Sequence, residues 1–277
     1  MVQRWKIETI HPERKRGGFR FALFDFDGTL SLIREGWQGV MKGYFYEELS
    51  RAPLAPRAGE EAVRSRIDDF VDLNTGKQTI YQCFSLAEEI TRLGGMPHDP
   101  QVYKDEYQRR LLEQVQHRIS ALERREVPPE RYMVPGSFDL LRGLRDRRVS
   151  LFLASGTDEQ FTKHEADILE ITPYFEDRVY GAQRDYRSFS KKMVVDRIIG
   201  KNNLKGSELL GFGDGFVEIE NVAERGGFTV GVASDEKNRG GRVDEWKRNR
   251  LIAAGADIII PDYGDAPALL RYLFGEE

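Results

Sequence analysis

Two acidic strand endings are the first chemistry the sequence offers. Phe24-Asp25-Phe26-Asp27-Gly28-Thr29-Leu30 carries carboxylates at i and i+2, and in an extended chain those side chains share one face. Like charges at the mouth of a buried strand repel each other unless a cation or a shared proton lies between them. The second ending, Leu209-Leu210-Gly211-Phe212-Gly213-Asp214-Gly215-Phe216-Val217-Glu218, sets Asp214 and Glu218 one helical turn apart. Its glycines lack the G-x-G-x-x-G spacing of a dinucleotide site. Asp25, Asp27 and Asp214, from different strand ends, make an oxygen set suited to Mg2+, with waters and a phosphate completing the octahedron. An acidic surface turn is the other reading of each ending, since Asp and Gly are ordinary turn residues.

Two further tips offer groups for an anion. Leu153-Ala154-Ser155-Gly156-Thr157 ends an apolar run in a hydroxyl, and Thr157-Asp158-Glu159-Gln160 has the pattern of a capping box. A hydroxyl and free N–H groups at a helix start can hold an anion, although Ser-Gly before a helix also serves as a plain cap. Phe189-Ser190-Lys191-Lys192 opens another helix, with Ser190 as N-cap and lysines in the first turn, where they oppose the helix dipole. Val194, Val195, Ile198 and Ile199 form the buried stripe, which sets Lys191 rather than Lys192 at the tip.

Elements must bring these tips together. The runs FALFD, VSLFLAS, ELLGFGD, FTVGVAS and ADIIIPD alternate with helical patterns, as expected of an α/β fold with a Rossmann-like parallel sheet flanked by helices. The first two strands are separated by more than a hundred residues of helical pattern. Trp37, Val40, Met41, Tyr44, Phe45 and Leu49 share one face, and Tyr107, Leu111, Val115, Ile119 and Leu122 repeat the spacing. Two more helices are expected at about 58–73 and 78–92, with turns at Asn74-Thr75-Gly76 and Gly94-Gly95. The expected division is a core of residues 1–32 and 133–277 and an inserted α-helical cap domain of residues 33–132, with linkers at 31–34 and 127–136. Following the first strand's carboxyl end, where open α/β sheets bind ligands, the insertion is expected to act as a lid; a bundle without chemistry is the plainer alternative. The first 18 or so residues read as a peripheral arm.

Composition bounds the partners. The 277 residues are 40% hydrophobic and 32% charged, enough for one large domain or two smaller ones. Lys and Arg number 42 against 46 Asp and Glu, a net charge of −4 that supplies no field for a phosphodiester backbone, so nucleic acid is not the expected partner. No apolar run approaches the roughly 20 residues of a membrane span, and the start lacks the apolar core of a secretion signal. With a lone Cys83 unable to form an internal disulfide, the expectation is a soluble, cytoplasmic protein that no membrane holds. His11, His98, His117 and His164 show no metal-ligand spacing, and Ser155 lies in no nucleophile elbow. The mixed-charge stretch from Asp235 to Arg239 and on through Lys247-Arg248 reads as solvated surface.

In order and content, Asp25-x-Asp27-Gly28-Thr29-Leu30, the strand ending at Ser155, Lys191, and Gly213-Asp214-Gly215 with Glu218 resemble the haloacid dehalogenase-like superfamily of phosphohydrolases. The resemblance runs from about Phe21 to the C-terminus, and the insertion lies where the helical cap of the phosphoglycolate phosphatase and β-phosphoglucomutase type occurs. It implies Asp25 as nucleophile, Asp27 as general acid/base, Ser155 with Gly156 as phosphate ligands, and Lys191 as charge neutraliser. It also implies Asp214, Asp25 and the Asp27 backbone carbonyl as Mg2+ ligands. Where the family commonly has Asp, this chain has Glu218, one methylene longer; direct metal contact, contact through water, or a brace for Lys191 are all open. The implied activity is Mg2+-dependent hydrolysis of a small-molecule phosphate monoester through an aspartyl-phosphate. Dehalogenases of the family lack an acid at the place of Asp27. A sugar phosphomutase keeps the same set and is the nearest alternative. A phosphate-ligand-binding protein that lost the chemistry is the more distant one, and it predicts decayed motifs. Candidates for the rest of the substrate are Arg34, Trp37, Gln38, Asn74, Thr75, Lys77 and Gln78, against solvated surface or, for Trp37, core.

Overall fold

The computed structural model describes residues 6–276. Its strands are β1 (Glu8–Thr9), β2 (Phe21–Phe24), β3 (Ser150–Asp158), β4 (Val179–Ala182), β5 (Leu209–Gly213), β6 (Phe228–Val232) and β7 (Ile258–Ile260). They form one sheet in the order β1-β7-β6-β5-β2-β3-β4, parallel throughout except for β1, which runs antiparallel to β7. The α/β expectation holds. Every residue of β2, β5, β6 and β7 is buried, because helices cover both faces and leave no side to solvent.

Topology places the chemistry. The strand β2 lies between β3 and β5, and Phe24 pairs in register with Leu153 on one side and Phe212 on the other. The residues that follow these three therefore emerge side by side at one sheet edge. The Asp25 N–H extends the pairing by donating to the Phe212 carbonyl at 2.9 Å. Beneath it the Phe24 and Phe212 rings stack with centroids 4.4 Å apart and planes 2° from parallel.

The chain forms two compact units, one holding the chain up to Glu35 and again from Arg118, the other Gly36–His117. In the second unit α1 (Trp37–Ser50), α2 (Ala55–Ala58), α3 (Glu60–Asn74), α4 (Ile80–Arg92) and most of α5 (Pro100–Glu123) supply the helices. Met41, Tyr44, Phe45 and Leu49 of α1 and Leu111 and Val115 of α5 are buried, as their spacing predicts.

The first unit carries α6 (Ser137–Asp146), α7 (Glu159–Ile168), α8 (Thr172–Phe175), α9 (Lys191–Asn202), α10 (Phe216–Ala223), α11 (Glu245–Ala253) and α12 (Ala266–Phe274). Val194, Val195 and Ile198 of α9 pack with Leu23, Phe152 and Leu209, while Ile219 of α10 and Leu251 of α11 pack with Ile259. The peripheral arm expected at the N-terminus is corrected in part. Glu8 and Thr9 pair with β7, Glu8 forms an ion pair with Arg248, and Arg14 meets Asp257 at 3.0 Å, so charged side chains tie this segment down. Residues 1–5 lie outside the described residues.

Candidate active site

Lys191 links two strand ends. Ser190 caps α9 by accepting the Met193 N–H at 3.1 Å, which orients the first turn. The Lys191 side chain is buried, and its Nζ donates to Asp25 Oδ1 at 2.6 Å and to Glu218 Oε2 at 2.8 Å. Its neighbour Lys192 is exposed and pairs with Glu224 at 3.2 Å. Burial raises the Asp25 carboxyl well above the usual range, Lys191 opposes that, and Glu218 and Asp214 add to it. Burial also works against the Lys191 ammonium, but Asp25 and Glu218 outweigh it and hold the group above the ordinary lysine value. Glu218 has both oxygens engaged, because Oε1 accepts the Gly215 N–H at 2.8 Å while Oε2 takes Lys191.

Asp27 lies over the end of β3. Its Oδ2 accepts from Thr157 Oγ1 at 2.9 Å and from Ser155 Oγ at 3.2 Å, and Ser155 Oγ accepts the Thr157 N–H at 3.0 Å. The other oxygen, Oδ1, is buried without a hydrogen-bond partner among the described residues. Arg34 comes within 4.0 Å of it but is committed to Glu165, to which Nε and Nη2 donate at 2.9 and 2.6 Å. Burial pushes Asp27 up to about 6, with Arg34 pulling the other way. The capping box expected at Thr157 does not form. The strand β3 continues to Asp158, and the Thr157 hydroxyl bonds Asp27 instead of the helix start.

Asp214 completes the group. Its N–H donates to Thr29 Oγ1 at 2.9 Å, and its Oδ2 accepts Lys247 Nζ at 2.8 Å. Asp25, Asp214 and Glu218 each offer a carboxylate oxygen, and these atoms lie within 4.8 Å of one another. Gly28, at φ +77°, lets the backbone pass close by, since a Cβ there would fall 2.1 Å from Asp214 Oδ2. Among the described residues, the carboxylates of Asp25, Glu218, Asp214 and Glu236 pair with the ammonium groups of Lys191 and Lys247, while the Arg34–Glu165 pair cancels itself and leaves the nearby Asp27 carboxylate uncompensated. Hard oxygen donors with excess negative charge in a buried setting fit a divalent cation such as Mg2+.

The structure thus brings Asp25, Asp27, Ser155, Lys191, Asp214 and Glu218 together, with Arg34 beside Asp27. Gly156 follows Ser155 in β3. Asn74 belongs to the helical unit, where its amide donates to Phe70 O at 2.9 Å and Ser85 Oγ at 3.2 Å and its Oδ1 accepts Lys77 Nζ at 3.0 Å. Sequence reasoning missed Thr157, Glu165, Glu236 and Lys247. The stretch around Lys247, expected as solvated surface, places that lysine 9% exposed against Asp214 and Glu236. Its one sequence signal is a lysine in the first turn of α11, the same placement that marks Lys191 on α9.

A family model described as haloacid dehalogenase-like hydrolase matches residues 19–222. No curated protein matches the chain in sequence. Among solved structures, a β-phosphoglucomutase from Clostridium difficile superposes with a TM-score of 0.61 at 12% identity, covering 93% of this chain and 98% of that one. A predicted phosphoglycolate phosphatase from Haemophilus somnus 129pt gives 0.57 at 14% identity, covering 91% and 98%. A predicted phosphatase from Clostridium acetobutylicum gives 0.58 at 18% identity, covering 93% and 99%. At these identities the likeness is one of fold.

Proposed function

The chain belongs to the haloacid dehalogenase-like hydrolases, and we propose that within that family it is a Mg2+-dependent phosphatase that cleaves a small-molecule phosphate monoester through an aspartyl-phosphate. The observation that carries this reading is the division of labour between two aspartates. Asp25 is held by Lys191 at 2.6 Å, while Asp27, two residues on, keeps a buried oxygen without a hydrogen-bond partner among the described residues.

In the first step an Asp25 carboxylate oxygen attacks phosphorus in line, the bond from phosphorus to the ester oxygen breaks, and Asp27 gives its proton to the departing alkoxide. In the second, Asp27 takes a proton from the water that attacks the phosphorus, which releases inorganic phosphate and restores Asp25. Lys191 fixes the nucleophile's rotamer through Asp25 Oδ1 and places positive charge beside the reaction. Ser155, whose single hydroxyl proton would turn from Asp27 to the substrate, and the Gly156 N–H are the candidates for holding phosphate oxygens. Bound by Asp25, Asp214 and the Asp27 carbonyl, Mg2+ would neutralise phosphoryl charge as a Lewis acid. Glu218 acts chiefly as the brace for Lys191, a role supported by the engagement of both its oxygens.

A small phosphate ester is favoured by the phosphate chemistry of the motif set and by the kinds of protein that share the fold, a β-phosphoglucomutase and a predicted phosphoglycolate phosphatase. Arg34, next to Asp27, and Asn74 in the helical unit are the candidates for contacting the rest of it. A cytoplasmic location is part of the proposal and is supported by the lone buried Cys83 and by the absence of any described helix long and apolar enough to cross a membrane.

The test is a phosphate-release screen over metabolite monoesters with and without Mg2+, using wild type and Asp25→Asn. Mg2+-dependent release that falls by at least about a thousandfold in the variant is expected. Variant activity near wild type, or an isomerised sugar phosphate as the sole product, would overturn the reading.

A further inference from the structure

Lys247 is a second lysine buried at the mouth of the sheet, and the two-step chemistry above gives it no part. It sits in the first turn of α11, whose N-cap Asp244 accepts the Lys247 N–H at 2.9 Å. Its Nζ donates to Glu236 Oε1 at 2.6 Å, to Asp214 Oδ2 at 2.8 Å and to Ser234 Oγ at 3.2 Å. An ammonium has three donors, and all three are engaged. Ser234 Oγ in turn donates to the Gly28 carbonyl at 2.8 Å. One side chain therefore connects Asp214, after β5, with the turn that follows Asp27, after β2. Those are the two strand ends whose oxygens the Mg2+ reading uses.

Charge separates two roles for such a lysine. A cation standing in for the metal would need Asp214 alone and would leave when the metal came. Lys247 has its own counter-charge in Glu236, so the pair adds no net charge beside Asp214 and the ammonium keeps a partner when that carboxylate turns to a cation. We propose that Lys247 is a positioning residue which, with Glu236, forms a charge-neutral brace fixing the Asp214 carboxylate against the Asp27–Gly28 turn before a divalent cation arrives. The proposal rests on the reading of Asp214 as a Mg2+ ligand.

Titration calorimetry of Mg2+ into the full chain, wild type against the Lys247→Met/Glu236→Gln double variant, tests it. The double variant removes one charge of each sign, so a change in affinity reports lost geometry and not altered charge. The Mg2+ Kd is expected to rise by about tenfold or more, the usual effect of removing a group that orients a metal ligand. A rise of about threefold or less in folded protein would overturn the brace, because a residue that served stability alone would lower the unfolding temperature and leave Kd where it was. Should the double variant fail to fold, Glu236→Gln decides. It leaves Lys247 in place without its counter-charge, so weaker Mg2+ binding is expected, and an unchanged Kd overturns the brace. Wild type that takes up no Mg2+ removes the metal reading and the brace with it; equal Mg2+ binding by wild type and both variants removes the brace alone.

Discussion

In the proposed mechanism Asp27 carries a proton into one step and receives one in the next, and its surroundings suit that alternation. Burial raises it to about 6, while Ser155 and Thr157 hydroxyls hold one oxygen in place and the other has no hydrogen-bond partner among the described residues. Such an arrangement weakens the fold. A carboxyl whose folded value lies above its unfolded one adds stability when protonated and loses it as pH rises through the folded value. In metal-free protein Asp27→Asn should therefore match wild type near pH 3.5 and exceed it above pH 6, by roughly 2–3 kcal/mol at pH 8. Denaturant unfolding in EDTA at both pH values checks this, and a variant less stable than wild type at pH 8 would contradict it. At this scale Asp25, Asp27, Ser155, Lys191 and Asp214 are legible in the sequence because each lies where an apolar run gives way to polar or glycine residues or where a helix begins. Thr157, Glu165 and Lys247 are not. Each looks like an ordinary cap or surface charge until the fold buries it against a partner 130, 131 or 33 positions away.

At the scale of elements, convergence follows from β2 lying between β3 and β5, so that three chain ends share one edge. The close approach of α10 to β5 adds Glu218 to the group. Gly213 makes that approach possible, since a Cβ there would fall 2.0 Å from Glu218 Cγ. Gly213→Ala should push α10 outward, break the Glu218–Lys191 contact and cost about 1–3 kcal/mol of stability. Thermal unfolding combined with phosphate release checks it, and an unchanged unfolding temperature with full activity would show that α10 shifts freely. The strands from β2 through β7 differ in how well the sequence announces them. FALF, LLGFG and, apart from Thr229, FTVGV are apolar runs, the mark of strands covered on both faces. The four residues of β4, VYGA, are apolar but do not by themselves announce a strand, and the two of β1, ET, carry no such mark; both are strands because a neighbour offers an edge to pair with.

For the whole molecule, a net charge of −4 is compatible with the proposed anionic ester as substrate because the acidity is local. The carboxylates gathered at one sheet edge outnumber the ammonium groups among them, an imbalance suited to a divalent cation that would in turn draw phosphate. The chain departs into its helical unit at Gly36, nine residues after Asp27, and returns at Arg118. The α/β class and the helical nature of the insertion are legible from the change between strand runs and helical spacing, whereas no periodicity specifies a substrate.

The proposed mechanism requires phosphate to pass through Asp25. An aryl phosphate leaves without needing a proton, so the Asp27→Asn variant should complete the first step and stall for lack of a base in the second. Mass spectrometry of that variant, quenched in acid after mixing with p-nitrophenyl phosphate and Mg2+ and then reduced with borohydride, should find residue 25 converted to homoserine. An unmodified Asp25, or a phosphoryl group on another side chain while wild type turns over the same ester, would contradict the account.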